Sequence, residues 1–200
     1  EYGCFVESVG SKLKVVPANT ENFQIQFDKF KEMLTPKTKA VIVNSPNNPS
    51  GVVYSEETIK KLADILKAKS QEFGHPIFII SDEPYRELVY GNLQVPYIPK
   101  YYKNTLVCYS WSKSLSLPGE RIGYIAVPDE VADFGMVYGA IAGAARVLTH
   151  VNASSLFQRV VARCVDEPSN IAAYERNGNL LYNGLLEAGF SCQKPQGAFY

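Results

Sequence analysis

The 200 residues suffice for one domain, or for one domain and part of a second. Twenty basic residues balance twenty acidic ones, and this zero net charge argues against a nucleic-acid or membrane-surface partner recognised through bulk charge. The four cysteines are widely spaced and only two histidines accompany them. We therefore expect no metal site, and the thiols are typical of a reduced, cytoplasmic protein.

The hydrophobic pattern predicts strands that alternate with helices. Continuous apolar runs rich in β-branched residues are typical of parallel strands covered on both faces, and they predict strands at residues 13–17, 40–44, 77–80, 105–109 and 122–127. Amphipathic spacing predicts helices at residues 27–34, 131–148, 154–165 and 168–186 and a further one beginning after Ser55. This alternation indicates an α/β fold, a three-layer α-β-α arrangement with a mostly parallel sheet.

The helix after Ser55 has the clearest local signals. Ser55 is a suitable N-cap, and two glutamates follow it in the first turn, where they favour the helix dipole. Ile59, Leu62, Ala63 and Leu66 recur at helical spacing. These four side chains therefore share one apolar face, which we expect to be buried.

Polar side chains follow three of the predicted strands. Asn48 comes after the strand at 40–44, Asp82 after that at 77–80, and Ser110 and Lys113 after that at 105–109. In open α/β sheets, ligands bind at the carboxyl edge of the strands. We therefore expect these side chains to form one site.

Residues 110–123 form the densest cluster of candidate residues. A lysine that forms a Schiff base must be deprotonated near neutral pH, which burial or a nearby positive charge favours. Lys113 follows a buried strand, and Arg121, eight residues later, could supply that charge and bind a phosphate. Ser110 and Ser112 add hydroxyl donors. The competing interpretation is a solvated lysine in a Ser-rich turn.

Asp82 is the second candidate. A carboxylate at a strand end is costly to bury without a cationic or hydrogen-bonding partner, and a protonated pyridine nitrogen is such a partner. Tyr85, three residues on, could donate to a phenolate oxygen of the same ring. Alternatively, Asp82 caps a turn and Tyr85 is a packing residue. Asn48, in Asn-Pro-Ser-Gly, is by itself only a turn signal.

Together these stretches resemble the class I/II aminotransferases, pyridoxal-phosphate (PLP) enzymes of fold type I. The matching stretches are Pro46-Asn47-Asn48-Pro49-Ser50-Gly51, Asp82-Glu83-Pro84-Tyr85 and residues 110–123. The resemblance covers essentially the whole chain. Its most specific part is Ser-x-Ser-Lys followed by Pro-Gly-x-Arg-x-Gly.

The resemblance implies a role for each candidate. Lys113 would form the Schiff base with PLP and then shuttle a proton, while Asp82 would pair with the pyridine nitrogen. Tyr85 and Asn48 would hydrogen-bond the 3′-oxygen. The expected reaction is transamination between an amino acid and a 2-oxo acid.

The remaining implied contacts concern the ring face and the phosphate. Pro84 lies where the family places a small apolar residue beneath the ring, and Ser110, Ser112 and Arg121 would bind the phosphate. The family also implies a homodimer of the full-length protein, with an amino acid and a 2-oxo acid as its small-molecule partners.

The resemblance also suggests that the chain is a fragment truncated at both ends. We expect residues 1–167 to form most of the large PLP-binding domain and residues 168–200 to begin the small C-terminal domain. The family's glycine-rich phosphate loop and the arginine for the substrate carboxylate would lie outside the chain. We therefore expect these 200 residues to be inactive alone.

Two rival functions use the same residues. A PLP-dependent C–S lyase would share the whole apparatus, since the choice of reaction depends on which Cα bond is held perpendicular to the ring. A PLP-binding effector domain of a transcription regulator would bind the cofactor without turnover. A purely structural domain would give no reason for Asn48, Asp82, Lys113 and Arg121 to gather at one sheet edge.

Overall fold

A four-stranded mixed sheet organises the chain, which the computed structural model describes over residues 1–200. The strands lie in the order β1 (Ala40–Asn44), β2 (Phe78–Asp82), β3 (Thr105–Ser110) and β4 (Gly123–Ala126). β1, β2 and β3 are parallel, and β4 is antiparallel to β3. The predicted α/β fold with a mostly parallel sheet is confirmed.

The predicted strand at residues 13–17 is wrong. These residues have no regular secondary structure, because no neighbouring strand pairs with their backbone groups and Pro17 has no N–H to donate. Val15 is 73% exposed, whereas Val16 packs against the main core. The apolar run therefore reflects one side chain that contacts the core, not a covered strand.

Seven helices accompany the sheet. Five lie at predicted positions, whereas α1 and α4 were not predicted. They are α1 (Tyr2–Glu7), α2 (Phe27–Met33), α3 (Glu56–Phe73), α4 (Trp111–Ser114), α5 (Phe134–Val147), α6 (Ser155–Cys164) and α7 (Ile171–Glu187). None of them is long and apolar enough to cross a membrane.

Helix α3 packs on the sheet and forms the main core. Ser55 caps it, accepting a hydrogen bond from the Thr58 backbone N–H at 3.0 Å, so the predicted N-cap is confirmed. The predicted apolar face is buried and packs with side chains from α2, from β1 and β2 and from the segments that precede β2 and β3. The core consists of Phe30, Val43, Ile59, Leu62, Ala63, Leu66, Ile77, Ile79, Ile98 and Tyr102. This core supports β1 and β2 from one side, and these strands carry the candidate site at their carboxyl ends.

Truncation of Leu62 to alanine should destabilise the fold. Leu62 is 0% exposed in the core, so the change removes packing contacts and leaves a cavity, at a cost of about 2–5 kcal/mol in the free energy of unfolding. Denaturant titration followed by circular dichroism measures it. The matched control is Asp64→Ala, on the exposed side of the same helix, which should change stability by less than about 0.5 kcal/mol. Equal effects of the two changes would contradict the assigned core.

Candidate functional site

The carboxyl ends of β1 and β2 are in register. Asn44, Asp82 and Cys108 are paired neighbours across β1, β2 and β3. The Asn44 side chain donates from Nδ2 to the main-chain oxygen of Asp82 at 2.9 Å, and its Oδ1 accepts from the Asn48 backbone N–H at 2.8 Å. Asn44 therefore links the turn that carries Asn48 to the end of the strand that carries Asp82.

The turn after β1 is shaped by two prolines and a glycine. The Ser45–Pro46 and Asn48–Pro49 peptide bonds are cis, and Gly51 has a φ of +67°. A Cβ at Gly51 would lie 2.8 Å from the Pro195 Cβ, so only glycine fits this backbone and this close approach. The turn is thereby held against the segment that begins at Pro195.

That later segment brings an aromatic pair to the sheet edge. The Gly197 backbone N–H donates to Gly51 O at 2.9 Å, and the Ala198 N–H donates to Leu88 O at 2.7 Å. Phe199 and Tyr200 follow directly. Both rings lie against Tyr85, with centroid distances of 5.7 Å in each case.

Asn48 and Tyr85, which sequence reasoning paired, are in contact. Tyr85 is 4% exposed, and Asn48 Nδ2 donates to its hydroxyl at 3.4 Å. Both groups also contact the Tyr200 hydroxyl, which lies 2.7 Å from the Tyr85 hydroxyl and 3.0 Å from Asn48 Nδ2. Burial first, and then the contact with Tyr200, raise the pKa of Tyr85, so its hydroxyl is protonated near neutral pH and can donate.

The Tyr200 contact tests whether these residues fit the expected cofactor. The Tyr200 oxygen is a phenol oxygen, the same kind of acceptor as the phenol oxygen that the PLP ring carries. Two hydrogen-bonding groups already converge on it at 2.7 and 3.0 Å, which is ordinary hydrogen-bond distance. The donor set formed by Asn48 and Tyr85 therefore fits a phenolic ring.

Lys113 lies beside the same tyrosine. It is half-buried in the short helix α4, which directly follows β3. Its Nζ is 5.6 Å from the Tyr85 ring centroid and 5.2 Å from that of Phe199, within the range of cation–π contacts. The structure thus brings Lys113, Tyr85 and Asn48 together, although they are far apart in sequence.

Asp82 ends β2 and is half-buried. The Tyr2 hydroxyl donates to its Oδ2 at 2.6 Å, whereas Oδ1 accepts no hydrogen bond from the chain. Burial raises the pKa of Asp82, while the hydrogen bond from Tyr2 lowers it. One carboxylate oxygen is thus held by the protein and the other can accept a ligand donor.

The predicted phosphate residues are close in sequence but make no hydrogen bonds to one another. Arg121 is exposed, has a φ of 52° and donates from Nη1 to Pro118 O at 2.7 Å. The hydroxyls of Ser110 and Ser112 make no hydrogen bond. Ser110 pairs with Gly123 across β3 and β4, and a Cβ at Gly123 would lie 2.4 Å from Tyr109 O. Glycine there lets the strand after Arg121 run beside Ser110.

An ion pair with a buried glutamate, not found from the sequence, holds the turn that carries Asp82 and Tyr85. Glu83 is 2% exposed, accepts from the Ser81 hydroxyl at 2.6 Å and pairs with the Arg86 guanidinium. Pro84 is half-buried between Glu83 and Tyr85. The sequence does contain the two partners, since Glu83 directly follows Asp82 and Arg86 lies three residues later. Their spacing alone does not show whether the glutamate of such a pair is buried or exposed.

Two further residues at the site, Tyr2 and Tyr200, were also not predicted. Tyr2 is 80 residues from Asp82, and Tyr200 is 115 residues from Tyr85. No local sequence pattern predicts contacts between residues that are so far apart in the chain. Only the three-dimensional arrangement identifies them.

Comparison with protein families gives one match over almost the whole chain. Residues 2–200 match the sequence pattern of the family described as aminotransferase class I and II. Among curated proteins, the aspartate aminotransferase of Geobacillus stearothermophilus is 35% identical over 189 residues, covering 90% of this chain and 45% of the relative. Aromatic-amino-acid aminotransferase 2 of Thermococcus litoralis is 32% identical, covering 100% of this chain and 51% of the relative.

Solved structures of aminotransferases also match this chain. An amino transferase from Eubacterium rectale superposes with a TM-score of 0.96 at 58% sequence identity, covering 98% of this chain and 50% of the other. The aspartate aminotransferase of Thermotoga maritima has a TM-score of 0.81 at 27% identity, covering 96% of this chain and 49% of the other. This chain therefore spans about half the length of the relatives it matches.

Proposed function

Because the chain belongs to the class I and II aminotransferases, we propose that it carries the PLP site of an amino-acid aminotransferase, which moves an amino group from an amino acid to a 2-oxo acid. The observation that supports this most is the convergence of Asn48 and Tyr85 on a phenol oxygen, with Lys113 beside Tyr85. The family is PLP-dependent. When bound, the cofactor supplies an aldehyde that takes up the amino group and a protonated ring that withdraws electrons.

We assign the reacting amine to Lys113. Its Nζ would attach the cofactor, and the same nitrogen would accept and return a proton during the transfer, as a general base and acid. The Tyr85 and Phe199 rings beside Lys113 Nζ restrict its position and exclude water from one side. Such positioning keeps the amine close to the reacting atoms.

Asp82, Asn48 and Tyr85 would orient the ring. The free Oδ1 of Asp82 would accept from the ring nitrogen, and its negative charge would hold the proton there. Tyr85 and Asn48 would donate to the ring phenol oxygen, while Pro84 would lie beneath the ring. Contacts at two sides of the ring would fix its orientation relative to Lys113.

The phosphate would be bound by residues from the end of β3 to the start of β4. Ser110 and Ser112 have hydroxyls without other hydrogen bonds, and Arg121 uses one donor for Pro118 O. Most N–H donors of the guanidinium thus remain for a phosphate, which arginine binds in bidentate geometry.

The substrates and the assembly are proposals for the whole protein, because this chain spans about half of its relatives. The names of the relatives include aspartate and aromatic-amino-acid aminotransferases. The resemblance therefore supports an amino-acid donor and a 2-oxo acid acceptor without selecting one pair. We further propose a cytoplasmic homodimer.

A substrate screen of the full-length protein tests this function. Purified protein loaded with PLP is incubated with single amino acids and 2-oxoglutarate, and products are quantified by mass spectrometry. Equal amounts of a new 2-oxo acid and of glutamate are expected. Release of pyruvate, ammonia and a thiol from a cysteine thioether would instead identify a C–S lyase. Stable PLP binding without turnover of any donor would favour the effector-domain alternative.

A further inference from the structure

The one-turn helix that carries Lys113 is held only weakly by its own backbone. Helix α4 has four residues, far fewer than an isolated helix needs to be stable in water. At its C-terminal end, Trp111 O and Lys113 O accept backbone hydrogen bonds that are each 3.3 Å long, longer than the usual distance of about 2.9–3.0 Å. The orientation of Lys113 therefore depends on contacts from other parts of the chain.

Ser114, the next residue after Lys113, is held at two points. Its hydroxyl lies 2.8 Å from the Tyr109 hydroxyl on β3. Its main-chain oxygen is one of the carbonyls that a helix end leaves without an intrahelical partner, and no backbone N–H donates to it. The Ser169 hydroxyl donates to this oxygen at 2.7 Å, although Ser169 is 55 residues away along the chain.

We propose that Ser169 is a positioning residue, whose hydrogen bond to Ser114 O holds α4 in the orientation that presents Lys113 Nζ to the cofactor. Lys113 and Ser114 are joined by a planar peptide bond. A contact that fixes the Ser114 carbonyl therefore also restricts the backbone of Lys113. This inference rests on the proposed function and assigns to it a residue outside the motifs.

The segment that carries Ser169 is itself fixed. Asn170 caps α7 through its side chain, which accepts from a backbone N–H of the first turn. Tyr174, one turn later, stacks on Phe199 at a centroid distance of 5.9 Å, and the Phe199 ring centroid lies 5.2 Å from Lys113 Nζ. The start of α7 thus reaches the surroundings of Lys113 by two routes. Ser169 can therefore hold α4 instead of moving with it.

Ser169→Ala tests the proposal because it removes only the hydroxyl. Full-length apoprotein is mixed with saturating PLP and quenched with borohydride at timed intervals, and the pyridoxyl label on Lys113 is quantified by mass spectrometry. Ser169→Ala should slow the attachment about fivefold, the scale of one neutral hydrogen bond. Ser169→Thr keeps a hydroxyl donor and should attach PLP at a rate within about twofold of wild type.

A second measurement separates positioning of Lys113 from a general effect on the fold. The Kd for PLP is measured by equilibrium dialysis for Lys113→Ala with and without Ser169→Ala. The two values should agree to within about twofold, because a residue that acts through Lys113 has little effect once that amine is gone. The matched control is Ser191→Ala, since Ser191 is exposed and makes no side-chain hydrogen bond. It should attach PLP at the wild-type rate.

Two results would overturn the inference and leave the proposed function intact. The first is attachment at the wild-type rate in Ser169→Ala. The second is weaker PLP binding when Ser169→Ala is added to Lys113→Ala, which would indicate a general structural role for Ser169. If wild-type protein acquires no label at Lys113, both the inference and the proposed function fail.

Discussion

Replacement of Lys113 with alanine is expected to abolish covalent attachment of PLP and nearly all turnover. Lys113 Nζ lies beside Tyr85 and Phe199, at the sheet edge where Asn48 and Tyr85 converge. Alanine removes the amine that would attach the cofactor and carry the proton. Loss of the proton-transfer role alone should lower kcat by about 10²–10⁴-fold.

Mass spectrometry measures the attachment directly. Full-length protein is incubated with PLP, reduced with borohydride and digested, and pyridoxyl-labelled peptides are mapped. A single labelled site at Lys113, absent in Lys113→Ala, is expected. The control Lys103→Ala removes an exposed lysine that precedes β3 at the opposite end of the strand, and it should retain both label and activity. Wild-type turnover by Lys113→Ala would contradict the assignment.

Most of the sheet could be predicted from the sequence because its signal is local. β1, β2 and β3 are apolar, β-branched runs, and each predicted position agrees with the structure to within one or two residues. β4 was also found, but its antiparallel direction was not, since strand direction depends on the route of the chain through residues 111–122. The prediction of a strand at 13–17 was wrong because an apolar run does not show whether a partner strand lies beside it.

Some residues of the candidate site could likewise be identified from local motifs, whereas others could not. Asn48, Asp82, Tyr85 and Lys113 stand in short motifs at strand ends, and parallel strands bring such ends to one edge. Tyr2 and Tyr200 reach the site through helix α1 and through the backbone pairing of Gly197 and Ala198. These contacts depend on packing between distant segments, for which a single sequence carries no pattern. The roles of all the candidate site residues and the domain boundary after residue 167 stay predictions.

Asp82→Asn is expected to lower kcat sharply while leaving the fold intact. Asparagine has nearly the same shape, and its amide oxygen can still accept from the Tyr2 hydroxyl, which donates to Oδ2 in the wild-type chain. The change therefore isolates the charge. An amide cannot stabilise a proton on the ring nitrogen, so the ring withdraws electrons less strongly. We expect a loss in kcat on the order of 10²–10³-fold, as when one group that stabilises developing charge is removed.

Steady-state kinetics with saturating PLP separate this effect from weaker cofactor binding. The control Asp129→Asn removes an exposed carboxylate outside the site, and it should leave kcat within about twofold of wild type. A variant with wild-type kcat would show that Asp82 caps the turn after β2 instead of pairing with the ring.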